Sequence, residues 1–238
     1  MRREVAGAWS RLLVSTAMHP GALLLDLDGT LVDSEPLNVA ALEHFCRERG
    51  APLAAGESDY VVGHGWQEIY RALRLGERLG LGLAETIAGA AAVRERLFGE
   101  SFPLLPGVRE LLVRARDAGI PVGLVTGSAR VEADQVLRCL GALAPAVTVC
   151  SDEIPRGKPD PYGYLLVAGR LGVAPERCLV IEDSTAGIAA GIAAGMRVVA
   201  TSCANPPPGA PGHQDQSRAH RQISSLTELI DLEEFMGA

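Results

Sequence analysis

The chain has 238 residues, 47% of them apolar and 21% charged, with a formal net charge of −7. This composition fits a globular protein with one large domain, or a core with a smaller second domain. The acidic balance argues against general affinity for nucleic acid. The five cysteines, Cys46, Cys139, Cys150, Cys178 and Cys203, are odd in number and scattered, with no Cys-x-x-Cys pair. A disulfide framework and a zinc site are both disfavoured, and a reduced, cytoplasmic setting is expected.

Residues 1–18 read as a loose N-terminal extension, with Met18 as a candidate start. The apolar run Leu12 to Val14 is too short for a signal-peptide core or a membrane span. Ala22 to Leu25 is a short apolar run that reads as a buried parallel strand. Asp26 and Asp28 follow it, one residue apart, and Gly29-Thr30 turn the chain. Ligands of open α/β sheets bind at the carboxyl ends of strands, so both carboxylates stand where chemistry is expected. A carboxylate pair there either holds a hard cation such as Mg²⁺ or divides the labour of nucleophile and general acid/base. A plain Asp-Gly turn is the structural alternative.

Ser34-Glu35-Pro36 is a helix-start signal. Helical stripes follow: Leu37, Ala41, Phe45; then Trp66, Ile69, Tyr70, Leu73; then Leu83, Ile87, Ala90, Ala91, Leu97. Residues 35–102 therefore read as a helical insert. Beyond it, helical and strand-like runs alternate. The strand-like runs are Pro121–Val125, Val147–Cys150, Cys178–Ile181 and Arg197–Ala200. Alternation of this kind predicts a parallel sheet covered by helices on both faces. Gly187, Gly191 and Gly195 repeat at every fourth position and give one helix a smooth face for close packing. Asn205–Arg218 reads as an exposed, mobile loop and Ser225–Phe235 as a last helix.

Four polar groups follow strand-like runs or open the next helix: Asp26/Asp28, Thr126/Ser128, Lys158 and Glu182/Asp183. Lys158 is the only lysine of the chain; every other basic residue of the Lys and Arg set is arginine. A compact ammonium is not interchangeable with a planar guanidinium, so its position points to a defined task. At one sheet edge these groups describe a phosphate site, because phosphoryl transfer needs charge neutralisation and in-line positioning. Taken singly, Thr126 reads equally as a helix cap, Lys158 as a surface charge and Glu182-Asp183 as a loop.

Together, Asp26-Leu27-Asp28-Gly29-Thr30, Thr126, Gly157-Lys158-Pro159-Asp160-Pro161 and Ile181-Glu182-Asp183-Ser184 resemble, in order, the four signatures of the haloacid dehalogenase-like hydrolases. The resemblance covers Ala22 to Ala200 and is strongest to the sugar-phosphatase and β-phosphoglucomutase-like branch. It implies an α/β fold: a Rossmann-like core of residues 19–34 and 103–238, and a helical cap of residues 35–102. It implies that Asp26 is a nucleophile forming an aspartyl-phosphate and that Asp28 protonates the leaving alcohol and then activates water. It implies Mg²⁺ held by Asp26, Asp183 and the main-chain carbonyl of Asp28, with Glu182 close by, while Lys158 and Thr126 steady the phosphoryl group.

Asp28 favours phosphoryl transfer over a dehalogenase of that family. The lysine-free insert disfavours a phosphonatase, which needs a cap lysine. A mutase of the family carries an arginine soon after the cap glycine. Here Val62-Gly63-His64-Gly65-Trp66-Gln67-Glu68 contains none, and the first is Arg71. The expected function is thus an Mg²⁺-dependent phosphatase of a small phosphorylated metabolite, such as a sugar or polyol phosphate. A phosphosugar mutase and a non-catalytic binding module of the same fold are the alternatives. Gly63, His64, Trp66, Gln67, Gly127 and Ser128 are the candidate substrate contacts, and a monomer or weak dimer without nucleic acid or membrane partners is expected.

Overall fold

The computed structural model describes residues 20–99 and 102–229. The expected extension at 1–18 and most of the expected last helix lie outside these residues. A six-stranded parallel sheet has the order β3-β2-β1-β4-β5-β6. Its strands are β1 (Ala22–Leu25), β2 (Val122–Val125), β3 (Val147–Val149), β4 (Cys178–Glu182), β5 (Arg197–Thr201) and β6 (Arg221–Ile223). Because strand side chains alternate, each central strand feeds two cores. Leu23 and Leu25 of β1 join Leu179 and Ile181 of β4 under α6 (Val108–Asp117) and α7 (Arg130–Leu140). Ala22 and Leu24 join Val180 and Val198 under α8 (Tyr162–Leu171) and α9 (Thr185–Ala193) on the opposite face.

Between β1 and α6 the chain makes an all-helical insert: α1 (Glu35–Glu48), α2 (Glu57–Val61), α3 (Trp66–Ala72), α4 (Leu75–Leu79) and α5 (Leu83–Phe98). It buries its own cluster, including Leu42, Phe45, Ile69, Leu73, Leu75 and Val93. Of the expected third stripe, Ala90 and Ala91 are buried, but Leu97 is 39% exposed in the last turn of α5. Where the chain leaves and re-enters the core, Val32 forms an antiparallel bridge with Leu104, and the Leu105 N–H donates to the Leu31 carbonyl at 2.9 Å. The two connections are therefore tied together at their roots.

The Asn205–Arg218 stretch is exposed in parts but is not free of the core. Asn205 and Gln214 exchange two hydrogen bonds of 2.9 Å. Gln216, 5% exposed, donates both amide hydrogens, to the carbonyls of Asp183 and Thr201, each at 2.7 Å. Within the described part of the expected last helix there is only a 3-10 turn, Leu226–Glu228. None of the described helices is long and apolar enough to cross a membrane.

Candidate active site

The parallel register decides which side chains meet. Leu25 pairs with Leu124 on one side and Ile181 on the other. The next residues, Asp26, Val125-Thr126 and Glu182, therefore emerge side by side at the carboxyl edge. Asp26 stands on the β1 face that carries Leu24, toward α8 and α9, and there it meets Lys158. The Lys158 ammonium donates to Asp26 Oδ1 and to Glu182 Oε1, the latter at 2.6 Å. It also lies 5.4 Å from the centroid of the Tyr164 ring.

Glu182 is fully buried, and both of its oxygens are taken. Oε1 accepts from Lys158 and, at 2.8 Å, from the Tyr164 hydroxyl. Oε2 accepts from the N–H groups of Asp183 and Ser184 and from the Ser184 hydroxyl, each at 3.0 Å. Burial favours its neutral form, but Lys158 and these donors outweigh burial and hold it below the usual carboxylate range. Asp26 and Asp183 go the other way. Burial pushes both up, and their neighbouring carboxylates add to the push. One ammonium thus faces more carboxylate charge than it can balance.

That imbalance, and the chemistry of the donors, suit a hard divalent cation. Carboxylate oxygens of Asp26, Glu182 and Asp183 lie within 4.8 Å of one another, an all-oxygen set of the kind Mg²⁺ takes. Gly29 makes the approach feasible. Its φ is +77°, and a Cβ there would overlap the Asp183 carboxylate, so only glycine serves. The Asp28 carboxylate is outside this group. Its Oδ2 accepts from Ser128 Oγ at 2.6 Å and Thr126 Oγ1 at 3.2 Å, and the Ser128 N–H closes the loop on Thr126 Oγ1 at 2.9 Å. Asp28 is therefore held beside the cluster by the loop after β2. Gly127, in the same loop, is exposed.

The insert's candidates stand in different states, and of them Gly63 and Trp66 touch the core. The Gly63 N–H donates to both oxygens of Glu35, at 2.9 and 3.0 Å. His64 is exposed and stacks on Tyr60 with ring centroids 4.2 Å apart. Gln67 is exposed. Trp66 packs against the insert's core and donates its indole N–H to Glu132 Oε1 at 3.0 Å. Sequence reasoning missed Glu132, Tyr164 and Gln216. A Glu three residues into a helix looks like an ordinary cap, and a Tyr on a helix face looks like core.

The cysteines take no part in this chemistry. Among the described residues all are free thiols, and burial pushes Cys150 up to about 12 and Cys178 up to about 11.

Comparison with known proteins adds the lineage. Residues 20–195 match the family description of the haloacid dehalogenase-like hydrolases. The chain is 38% identical over 189 residues to hexitol phosphatase A of Escherichia coli, covering 78% of this chain and 84% of that protein. It is 33% identical over 176 residues to a phosphorylated carbohydrates phosphatase of Thermotoga maritima, covering 74% and 82%. Among solved structures, CbbY of Rhodobacter sphaeroides in complex with phosphate superposes with a TM-score of 0.77 at 26% identity, over 91% of this chain and 99% of that one. The same protein, as a variant, has been seen with xylulose-(1,5)bisphosphate. With a family match across most of the chain and the four signatures gathered at one sheet edge, the protein belongs to the haloacid dehalogenase-like hydrolases.

Proposed function

We propose that the protein is an Mg²⁺-dependent phosphatase that cleaves the monoester of a small phosphorylated polyol or sugar through an aspartyl-phosphate on Asp26. The observation that carries this reading is the pairing of Asp26 with Lys158 while Asp28 stands apart on Thr126 and Ser128. Two carboxylates one residue apart are thus given different surroundings, as nucleophile and acid/base require.

In the first step an Asp26 oxygen attacks phosphorus, and the ester P–O bond breaks. Asp28 gives its proton to the departing alkoxide, so the alcohol leaves neutral. In the second step Asp28 takes a proton from water, the hydroxide attacks phosphorus, and the Asp26–phosphorus bond breaks. Phosphate is released and Asp26 is restored. Lys158 reduces the repulsion between the Asp26 carboxylate and the incoming phosphate. Asp26, Asp183 and the main-chain carbonyl of Asp28 would hold the Mg²⁺ ion, which supplies charge neutralisation at the phosphoryl oxygens. Glu182, with both oxygens occupied by protein donors, serves to place Lys158.

The names of the relatives favour a hexitol or sugar phosphate as substrate. Hydrolysis is preferred over phosphosugar mutation because the turn from Val62 to Glu68 carries no arginine, and two of the next three arginines are committed elsewhere. Arg74 pairs with Glu77, and Arg78 pairs with Glu57 and carbonyls of its own insert. The test is phosphate release from a panel of hexitol, sugar and aryl phosphates, with and without Mg²⁺. Release that needs Mg²⁺ and disappears in Asp26→Asn is expected. Release unaffected by Asp26→Asn, or none from any compound, overturns the reading.

A further inference from the structure

The described buried charges outside the phosphate site gather at one place, where the insert meets the core. Arg94 of α5 is 3% exposed and reaches two other helices. It donates to Asn38 Oδ1 of α1 at 2.6 Å, to Gln135 Oε1 of α7 at 2.9 Å and to the Glu132 carbonyl at 3.3 Å. Gln135 returns its amide to the Ala91 carbonyl at 2.8 Å. Arg94 Nη1 also stands 3.9 Å from Glu132 Oε1. This cluster fixes the Glu132 side chain, which is itself 2% exposed.

Glu132 then faces two donors. Oε2 accepts the Ala129 N–H at 3.1 Å, at the start of α7 and directly after Ser128. Oε1 accepts the Trp66 indole N–H at 3.0 Å, across 66 residues of sequence. Because both partners donate, the side chain must accept at both oxygens. A carboxylate does so, and a glutamine amide does not. The choice of Glu over Gln therefore answers to Trp66 as much as to α7.

We propose that Glu132 is a positioning residue of the substrate site: it takes the Trp66 indole N–H from the insert and so sets where Trp66 stands beside the loop that holds Asp28. The proposal rests on the phosphatase reading above and deepens it by naming what fixes the wall of the alcohol side. Burial pushes Glu132 up and Arg94 pulls it down, while Asp28 is near enough to raise it further. Withdrawing Trp66 leaves a buried carboxylate short of a donor, which is costly. The pair therefore favours the insert lying over the site, with the indole face held at a fixed angle for stacking on the apolar face of a polyol or sugar.

The test uses the full chain with Trp9→Phe, so that fluorescence reports Trp66 alone, since the chain has two tryptophans. Acrylamide quenching is measured for the parent and Glu132→Gln, and steady-state kinetics with a hexitol phosphate for these two, Trp66→Phe and the double variant. Glu132→Gln is expected to make Trp66 about threefold more accessible to acrylamide. It is also expected to raise KM for the hexitol phosphate about tenfold with a smaller change in kcat, the loss of one buried hydrogen bond. Added to Trp66→Phe, the same substitution costs less than about twofold, because the partner is already gone.

Equal costs in both backgrounds, or unchanged quenching, overturn the proposal. Trp66→Phe, which disturbs no helix cap, carries the kinetic arm should Glu132→Gln unfold: a KM equal to the parent's then overturns it. The quenching arm needs no turnover, so it judges Glu132 even where phosphate release fails and the phosphatase reading falls.

Discussion

Lys158 is the side chain on which the carboxylate cluster of the candidate active site balances. It is the only cation bonded to Asp26 and Glu182 among the described residues, with its side chain 12% exposed and that of Glu182 fully buried. Removing one partner of such a pair leaves a buried charge without compensation, at about 3–5 kcal/mol. Lys158→Met is therefore expected to lower the unfolding free energy from urea titration by that amount in metal-free buffer and to abolish phosphate release. Lys158→Arg should not restore activity, because a planar fork cannot place one charge between two carboxylates and under the Tyr164 ring. A loss of unfolding free energy below about 1 kcal/mol would mean that the pair is solvated and that Lys158 acts only on substrate.

The position of this lysine was readable from the sequence because the chain otherwise uses arginine. Asp26, Asp28, Thr126 and Asp183 were readable because each follows a strand-like run. Glu132, Arg94 and Gln135 were not, since each meets partners 38 to 66 residues away. Neither periodicity nor spacing records contacts of that kind. Gln216 was hidden by the polar, proline-rich stretch around it, whose composition says loop while its side chain holds the carbonyl of Asp183.

At the scale of elements, α9 shows how one pattern serves two purposes. Its glycines predict close packing, and Gly191 obeys: a Cβ there would stand 2.8 Å from Val198 Cγ2. Gly187, one turn earlier, instead makes room for the Glu182 carboxylate, which a Cβ would overlap. Gly191→Ala should therefore cost stability, about 1–3 kcal/mol of overpacking less about 1 kcal/mol of helix propensity gained. Gly187→Ala displaces Glu182 and, through it, Lys158. Its kcat is expected to fall at least tenfold below that of Gly191→Ala, measured where both remain folded. Equal kcat values would show that Glu182 moves without consequence for Lys158.

The same scale shows why some elements escaped the sequence. The runs at β1, β2, β4 and β5 are apolar and buried, and they were visible. β6, Arg221-Gln222-Ile223, is a short edge strand with two exposed polar residues, and such strands carry little apolar signal. The five-residue helices α2 and α4 are too short for a stripe, and their order comes from packing inside the insert.

For the whole molecule, the question is what keeps the insert over the site. Besides the Trp66–Glu132 bond, the insert meets the core at Gly63, whose Cβ would lie 2.8 Å from the Gly212 Cα in the loop after β5. Gly63 is held from behind by Glu35 at the start of α1. The loop opposite is held by Gln216 on Asp183. The contact thus joins the Gly63 turn of the insert to the loop after β5, and we propose that it keeps water out during the first displacement of the proposed reaction.

Gly63→Ala separates this contact from backbone strain, provided the control is right. Gly63 has φ +78°, so alanine there is strained in any state. Gly56 has φ +84° in the same insert and nothing within 4 Å of its Cβ position, so Gly56→Ala suffers the strain alone. Both variants should melt within a few degrees of each other. Only Gly63→Ala should lose kcat/KM for a hexitol phosphate, about tenfold relative to Gly56→Ala, because its methyl group holds the insert off Gly212. The comparison has a definite failure: matching kcat/KM values for the two variants would mean that the insert does not press on this loop during turnover. Water exclusion would then depend on the Trp66 side of the interface alone.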